Sequence, residues 1–227
     1  MQILQKDRKQ FYIDKYPIDG HFSFPVAEII QVHQFERGEW INIEGSFPEF
    51  LYYLVEGKAK IYLTQENGKV ALINFTEPNT FIGELELLNE SYYSKGVQTM
   101  TKTVCLALPL ALCKEQLLSD VIFLRYLCTF LGNKTSLMTA KFTQSLAYPL
   151  ENRLAEFILL SAHDGQYREK HTEVCDYLGV SYRHLLHVFS QFCEADYLEK
   201  QGRVYMIKET NALKQLATTI HTTLEKS

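Results

Sequence analysis

The stretch Glu169–Arg203, EKHTEVCDYLGVSYRHLLHVFSQFCEADYLEKQGR, decides how the rest of the chain is interpreted. It is typical of two short helices joined by a tight turn. Thr172 is suited to cap the first helix, because its hydroxyl can accept hydrogen bonds from the free amides of the first turn. Gly179 stands where the chain must leave that helix with a positive φ. Ser181 can cap the second helix in the same way.

The second of these helices has one apolar and one polar face. Its apolar residues are expected to hold it to the body of the protein: Leu185, Leu186, Val188, Phe189 and Phe192. Its outward residues are rich in hydrogen-bond donors: Tyr182, Arg183, His184, His187 and Gln191. This pattern predicts a helix-turn-helix with a polar recognition helix. The alternative is an αα-hairpin without a role in DNA binding, since such patterns also arise by chance.

A hairpin is predicted directly after the helix pair. The segment Tyr197–Ile207, YLEKQGRVYMI, contains two short strands around Gln201–Gly202. A hairpin in this position is the wing of a winged helix. Together with a last helix from Asn211 through Leu224, it predicts a winged-helix domain over residues 150–227.

Composition limits the class of protein. With 227 residues, 46% of them hydrophobic and 22% charged, the chain can form two ordinary folded domains. Because it shows no membrane-length apolar run and no signal-peptide pattern, a cytoplasmic location without a membrane partner is expected. The net charge is −4, and the part from Tyr148 onward has nine Lys and Arg against eleven Asp and Glu. Any DNA affinity must therefore come from a local patch.

The cysteines and histidines give no support for a metal site. The five cysteines are scattered, odd in number and without a C-x-x-C pair: Cys105, Cys113, Cys128, Cys175 and Cys193. Neither structural disulfides nor a zinc or iron–sulfur site is expected. A cupin-type metal enzyme would share the barrel predicted below, but it needs about three histidines and a carboxylate on facing strands. The β region offers only His21 and His33, which disfavours this alternative, and no catalytic residue is predicted.

The first half of the chain has a β pattern. Residues 1–20 are interpreted as a short helical or irregular lead-in with a solvated, loosely packed face, and residues 21–118 as a β domain with short flanking helices. Alternating runs predict strands at Ile29–Phe35, Trp40–Ile43, Leu51–Val55, Ala59–Leu63, Val70–Phe75, Val97–Thr101 and Thr103–Leu108. Asn67–Gly68 predicts a type I′ hairpin. Many short strands at close spacing predict an antiparallel β-roll, a jelly-roll or cupin-like barrel.

A long helix is predicted over residues 119–146, capped by Ser119–Asp120. Seven residues recur along it at spacings of three and four, as in a coiled-coil seam: Val121, Leu124, Cys128, Leu131, Thr135, Met138 and Phe142. We interpret this stripe as a homodimer seam, because four other apolar residues remain to face the barrel: Ile122, Phe123, Leu127 and Phe130. The other interpretation is that the helix only packs on the barrel. Pro149 disfavours helix in the residue before it, so residues 147–149 are predicted to be a hinge.

The order of a β-roll, a long helix, a hinge and a winged helix resembles the Crp/Fnr family of bacterial transcription regulators. Phe81–Leu85, FIGEL, resembles the opening of the family's phosphate-binding cassette, and Glu56–Tyr62, EGKAKIY, one of its strands. Tyr177–Leu186 occupies the family's helix-turn-helix. Cys105–Pro109 and Arg153–Ser161 are similar to segments of its YeiL branch. The resemblance implies an α+β fold and a non-enzymatic, homodimeric transcription regulator, with a palindromic double-stranded DNA operator and RNA polymerase as partners.

The resemblance also implies which residues touch DNA. Family members place base-reading residues just after the cap of the recognition helix and one turn later, at Tyr182, Arg183 and His187 here. An arginine can grip a guanine edge with two hydrogen bonds. Phosphate contacts, which position the protein without reading sequence, are assigned to Thr172, Ser181, His184, Lys200 and Arg203. An interaction module of the same fold that has lost DNA binding remains the alternative, against which Arg183 and Gly179 argue.

For the sensor, the resemblance implies an effector pocket made by Gly83, Glu84, Leu85, Ser94, Lys95, Thr135 and Ser136. In members that bind cyclic AMP, an arginine of the cassette pairs with the cyclic phosphate. Here Ser94 falls at that position, or Lys95 after a slip of one residue. A lysine lacks the two-pronged grip of an arginine on phosphate. Cyclic AMP binding in the usual way is therefore not expected, and the effector remains unidentified.

Overall fold

The computed structural model describes residues 1–89 and 91–221. These fall into two compact units, residues 1–133 and the residues from Lys134 onward. The division lies inside the long helix predicted over 119–146. The predicted domain boundaries at residues 20, 118, 146 and 149 stay predictions.

The first unit contains short strands and a few helices. Its strands are β1 (Gln2–Ile3), β2 (Gln31–Phe35), β3 (Trp40–Asn42), β4 (Phe50–Glu56), β5 (Ala59–Thr64), β6 (Val70–Thr76), β7 (Thr80–Ile82), β8 (Gly96–Thr99) and β9 (Thr103–Pro109). Its helices are α1 (Lys6–Lys15), α2 (Glu84–Leu88), α3 (Leu110–Ser119) and the first part of α4 (Val121–Ala147), with a 3-10 turn at Asp19–His21. The strands form two antiparallel sheets, β1-β2-β9-β4-β7 and β3-β8-β5-β6.

The five-stranded sheet has an apolar core on each face. Side chains of a strand alternate between faces, and β4 divides its residues accordingly. Leu51 and Tyr53 join a core shared with α1, α3 and α4, whereas Tyr52 and Leu54 join a core between the two sheets. The first unit is thus a layer of helices on a two-sheet β-roll, as predicted.

The first 20 residues are an integral part of this unit, so the prediction of a loosely packed lead-in is wrong. Strand β1 pairs with β2, and Leu4, Tyr12 and Ile18 are buried in the core on the helical face. The Glu56 carboxylate accepts hydrogen bonds from Lys15 Nζ at 2.7 Å and from the Tyr12 hydroxyl at 3.2 Å. Charged and polar residues make up most of α1 and concealed this packing in the sequence. Besides Tyr12, the buried residues that anchor the segment, Leu4 and Ile18, lie before and after the helix.

The connection between β5 and β6 differs from the predicted type I′ hairpin. Thr64 pairs with Val70, which leaves a five-residue loop, closed by the Gln65 N–H donating to the Lys69 carbonyl at 2.8 Å. A type I′ turn needs a positive φ at two successive residues. Gly68 has a φ of +79°, but Asn67 is not among the residues with positive φ, so that prediction is wrong.

Helix α4 begins as predicted and packs on the roll through part of its surface. Asp120 caps it, because its Oδ1 accepts a hydrogen bond from the Ile122 N–H at 2.9 Å. Phe123 and Leu127 are fully buried in the core of the first unit. Ile122 is 50% exposed, so its predicted position against the barrel is wrong. One residue along a helix rotates the side chain by about 100°, which carries Ile122 away from the buried face.

The predicted seam lies on the flank of that buried face. Val121, Met138 and Phe142 are 68%, 53% and 66% exposed, while Leu124 and Leu131 pack partly against the core of the first unit. A single chain therefore leaves large apolar side chains of α4 in solvent, at both ends of the stripe.

The second unit continues from α4 with the winged helix. Its elements are α5 (Leu150–Ser161), β10 (Gln166–Tyr167), α6 (His171–Leu178), α7 (Tyr182–Glu194), β11 (Leu198–Gln201), β12 (Val204–Ile207) and α8 (Thr210–His221). Pro149 is the N-cap of α5, so the chain breaks between α4 and α5 at the predicted residues. Motion at this break stays a prediction. Of the last helix, predicted through Leu224, residues 222–224 lie outside the described part.

Candidate nucleic-acid interface and effector site

Helices α6 and α7 form the turn that was predicted. Gly179 ends α6 with a φ of +65° and a ψ of +40°. The Ser181 hydroxyl caps α7 by accepting a hydrogen bond from the His184 N–H at 3.2 Å. The predicted cap at Thr172 is wrong, because the extended residue before α6 is Lys170 and its carbonyl already accepts from the Val174 N–H at 3.2 Å. Thr172 thus lies within the first turn, where it is exposed.

An arginine of α5 stabilises the turn between α6 and α7 by hydrogen bonding to the end of α6. Arg153 Nη1 donates to the Leu178 carbonyl at 2.8 Å, and its Nε donates to the Tyr148 carbonyl at 3.2 Å. The last carbonyls of a helix have no partner within the helix. Arg153 satisfies one of them and so ties the end of α6 to the start of α5.

Helix α7 presents the predicted reader residues to solvent. Four of its apolar residues are at most 3% exposed: Leu185, Val188, Phe189 and Phe192. Leu186 is 38% exposed, so it contributes less to anchoring than predicted. Tyr182 is 51% exposed, and Arg183, His184 and His187 are exposed. Since a helix turns once in about 3.6 residues, Arg183 and His187 lie one above the other on the open face.

The wing follows α7 as a two-stranded hairpin extended by β10. Gln201 pairs with Val204, so the two-residue turn is Gly202–Arg203, one residue later than predicted. Gly202 adopts a φ of +63°, and Arg203 is exposed at the tip. Lys200 is also exposed, with its Nζ 5.9 Å from the centroid of the Tyr205 ring. Two predicted phosphate contacts therefore lie on the wing.

His171, the first residue of α6, makes ring contacts that were not predicted from the sequence. Its ring is stacked on Phe189, with centroids 4.8 Å apart, and lies 6.0 Å from the ring of Tyr182. The signal in the sequence was slight, a lone histidine beside the supposed cap. Only the packing of α6 on α7 reveals the contact.

In the first unit, the cassette residues form a tight turn into α2. Gly83 is the N-cap with a φ of +95°, and the Leu87 N–H donates to its carbonyl at 3.0 Å. A Cβ on Gly83 would lie 3.3 Å from the Phe50 carbonyl oxygen, so a side chain there would be strained. Glu84 follows and is 3% exposed, and Leu85 is half-buried.

The other half of the cassette carries a buried hydroxyl. Ser94 is 1% exposed, and its Oγ has no hydrogen-bond partner among the described atoms. Its carbonyl accepts from the Gly45 N–H at 2.9 Å, which secures the backbone. Lys95 is half-buried. Ser94 is one of the two residues that could stand at the arginine position of cyclic-AMP-binding relatives, and it is a buried neutral group; Lys95 is the other.

The remaining pocket residues, Thr135 and Ser136, are exposed on the part of α4 that belongs to the second unit. Their participation in a pocket with Glu84 stays a prediction. Among residues 1–89 and 91–221, no three His, Cys, Asp or Glu side chains are grouped as metal ligands would be. Nor does a helix in this part of the chain combine the length and apolarity needed to span a membrane.

Comparisons with known proteins agree with this architecture. The family model described as "Cyclic nucleotide-binding domain" matches residues 32–120. The chain is 42% identical over 196 residues to the regulatory protein YeiL of Escherichia coli O157:H7, covering 86% of this chain and 90% of that one.

Two solved structures are similar in fold. One is a transcriptional regulator of the CRP family from Thermus thermophilus, with a TM-score of 0.64 and 20% identity over 82% of this chain and 96% of that chain. The other is a transcriptional regulator of the crp/fnr family from Eubacterium rectale, with a TM-score of 0.69 and 12% identity over 85% of this chain and 92% of that chain. The predicted fold class, a β-roll followed by a long helix and a winged helix-turn-helix, is confirmed.

Proposed function

We propose that this chain, which belongs to the Crp/Fnr family of transcription regulators and is itself a transcription regulator, acts as a homodimer that binds a specific palindromic DNA site. The observation that carries the proposal is the open polar face of α7. There Arg183 and His187 are exposed one turn apart on a helix that is capped at Ser181 and anchored by buried apolar residues.

The size and chemistry of α7 suit the major groove. Its 13 residues span about 20 Å, and a major groove about 12 Å wide admits a helix. We assign base contacts to Arg183, His187 and Tyr182. Arg183 can donate two hydrogen bonds to the O6 and N7 acceptors of a guanine. Tyrosine and histidine can donate or accept, so they suit more than one base edge.

Phosphate contacts would fix the orientation of α7. We assign phosphate contacts to the exposed Lys200 and Arg203 of the wing and His184 of α7, together with Thr172 and Ser181. Because the chain has a net charge of −4, affinity depends on these few groups. Binding should therefore weaken steeply as salt is raised.

Dimerisation would cover the exposed apolar stripe of α4. Two α4 helices paired along Val121, Cys128, Met138 and Phe142 would remove large apolar side chains from water. The two recognition helices would then enter successive major grooves about 34 Å apart, on a palindromic operator. RNA polymerase is the partner through which a regulator bound at a promoter would act.

Replacing Arg183 with alanine tests the base contact. We expect affinity for the selected operator to fall by about 2–6 kcal/mol, about 1–3 kcal/mol for each half-site, with the preference lost at one base pair in each half-site. The measurement is selection from a random duplex pool, followed by anisotropy titrations at fixed salt.

Lys200→Ala is the matched control for this test. As a phosphate contact in each protomer, it should weaken binding to all sequences alike and reduce the salt slope of the dimer by about two. If Arg183→Ala behaved in the same way, the base-reading role would be wrong. If the wild-type protein enriched no sequence, the DNA-binding proposal itself would fail.

We further propose that the β-roll responds to an effector other than a cyclic nucleotide held in the usual way. A cyclic phosphate carries a negative charge, and burying a charge without a paired cation is costly. The buried Ser94 supplies only a hydroxyl, and Glu84 adds a carboxyl group nearby in sequence. A neutral polar effector fits this chemistry better than an anion.

Cyclic AMP at about 1 mM is therefore expected to leave the thermal midpoint of the β-roll unchanged. If the Kd were about 1 μM, a thousandth of that concentration, the ligand would stabilise the native state by about 4 kcal/mol, which a thermal melt detects easily. Lys95→Ala should melt like the wild type with and without the nucleotide. A shift of several degrees that Glu84→Ala abolishes would contradict the proposal.

A further inference from the structure

We infer that His171 positions Tyr182 for base recognition, so that an uncharged ring at the start of α6 sets part of the sequence preference of α7. This inference rests on the proposed DNA-binding function and deepens it. His171 is a positioning residue, since it would act on DNA recognition through the Tyr182 side chain.

The rings around His171 form a continuous series of contacts, some stacked and some tilted, that runs from the core to the surface. Tyr167 and Tyr205, both buried in the wing sheet, lie 5.4 Å and 4.6 Å from the ring of Phe189. Phe189 stacks on His171 at 4.8 Å with an interplanar angle of 18°. His171 in turn lies 6.0 Å from Tyr182, the exposed end of the series, at an angle of 52°. The position of Tyr182 is thus coupled to the wing sheet through His171.

A ring at this point restricts the freedom of Tyr182. Tyr182 is the first residue of α7 and is 51% exposed, so without a neighbour its side chain could sample several rotamers. The His171 ring occupies one side of it and limits those alternatives. A Tyr182 side chain that is already ordered loses less conformational entropy when it contacts its base, which favours the base that fits this one rotamer over others.

His171 is better suited to packing than to phosphate binding. Burial lowers the pKa of its imidazole below the ordinary value, and the positive charge of Lys200 on β11 lowers it further. The other titratable groups whose rings contact it are Tyr182 of α7 and Tyr205 of β12, and burial raises the pKa of Tyr205. A neutral ring stacked on Phe189 contributes shape and apolar surface, and it cannot neutralise a phosphate.

The test compares base preferences of full-length variants on the DNA that the wild type selects. His171→Ala is expected to reduce discrimination at the base pair read by Tyr182 by about threefold to tenfold, within the usual range for coupled neighbours. His171→Phe should restore it, because the ring is kept. The double variant His171→Ala, Tyr182→Ala should discriminate no worse than Tyr182→Ala alone. The salt slope of His171→Ala should equal that of the wild type. His163→Ala, an exposed histidine of the same unit, is the control.

Three results would overturn the inference. An equal loss of affinity for all sequences with a shallower salt slope would make His171 a phosphate contact. Additive effects of His171→Ala and Tyr182→Ala would show that the residues act separately. Failure of a folded His171→Phe variant to restore discrimination would remove the ring as the cause. These outcomes differ from a wild type that enriches no sequence, which would overturn the proposed function and this inference together.

Discussion

Gly57→Ala is expected to destabilise the β-roll by about 4 kcal/mol, from about 1–3 kcal/mol of backbone strain and a similar cost of overpacking. Gly57 turns the chain between β4 and β5 with a φ of +92°. A Cβ there would lie 2.5 Å from the Thr103 hydroxyl and 2.6 Å from the Lys102 carbonyl oxygen. Thr103 is fully buried and part of β9, so it cannot move aside without disturbing the central sheet.

Gly68→Ala provides the matched control for this substitution. Gly68 also has a positive φ, +79°, but a Cβ there would meet nothing within 4 Å. Its cost should be limited to the backbone strain, about 1 kcal/mol. Urea unfolding can be followed by fluorescence, because Trp40, the single tryptophan, lies on β3 of the β-roll. Equal losses for the two variants would show that the clash at Thr103 is unimportant.

The second large effect is a loss of β-roll stability of about 3 kcal/mol as the pH falls from about 6.5 to 4, caused by His33. His33 is fully buried. Both nitrogens of its neutral ring have hydrogen-bond partners. Gln31 Oε1 lies 2.9 Å from Nε2, and the Tyr52 hydroxyl lies 3.2 Å from Nδ1. Burial lowers the pKa of His33 to about 4.

The sign of this effect follows from proton binding. Between the two pKa values the unfolded chain binds a proton at this histidine and the native protein does not. Stability is therefore fully present above the unfolded pKa, and it is lost as the pH falls toward the folded one. Each pH unit in this window removes about 1.4 kcal/mol for one proton.

A His33→Gln variant isolates this contribution. Its unfolding free energy is measured through the fluorescence of Trp40 between pH 6.5 and 4.5. It should depend on pH less steeply than that of the wild type, by nearly the 1.4 kcal/mol per pH unit (about one proton) that His33 contributes. Comparing slopes removes the titration of other groups and any constant effect of the substitution. His163→Gln, which alters an exposed histidine, should keep the wild-type slope. If His33→Gln kept the pH dependence of the wild-type unfolding free energy, the proton bound on unfolding would belong to another group.

Features that depend on a few neighbouring residues were predicted well. The end of α6 at Gly179, the cap of α7 at Ser181 and the break at Pro149 all follow from backbone preferences that operate within one turn. The apolar runs located seven of the strands to within about two residues, because a strand buried on one or both faces is rich in apolar residues. The polar face of α7 was predicted for the same reason, because it is a local pattern. The assignment of its base-contacting residues came from the family resemblance and stays a prediction.

Features that depend on distant partners were missed or misplaced. The cap at Thr172 was a plausible local choice, yet the packing of His171 on Phe189 accompanies a helix that begins two residues earlier, with Lys170 as its N-cap. The lead-in appeared loose because Glu56, which anchors α1, is about 40 residues away in sequence. The strand β7 was overlooked because its three residues are too few to show a period.

The sequence by itself determined the kind of elements, their order and the polar surface of the recognition helix, since these depend on periodicity and capping within short segments. The tertiary structure decided which buried groups face one another. It brought Gly57 against Thr103, enclosed His33 between Gln31 and Tyr52, and placed His171 beside Tyr182. Such pairs form when strands and helices choose partners by packing and hydrogen bonding across the fold, and no local pattern specifies that choice.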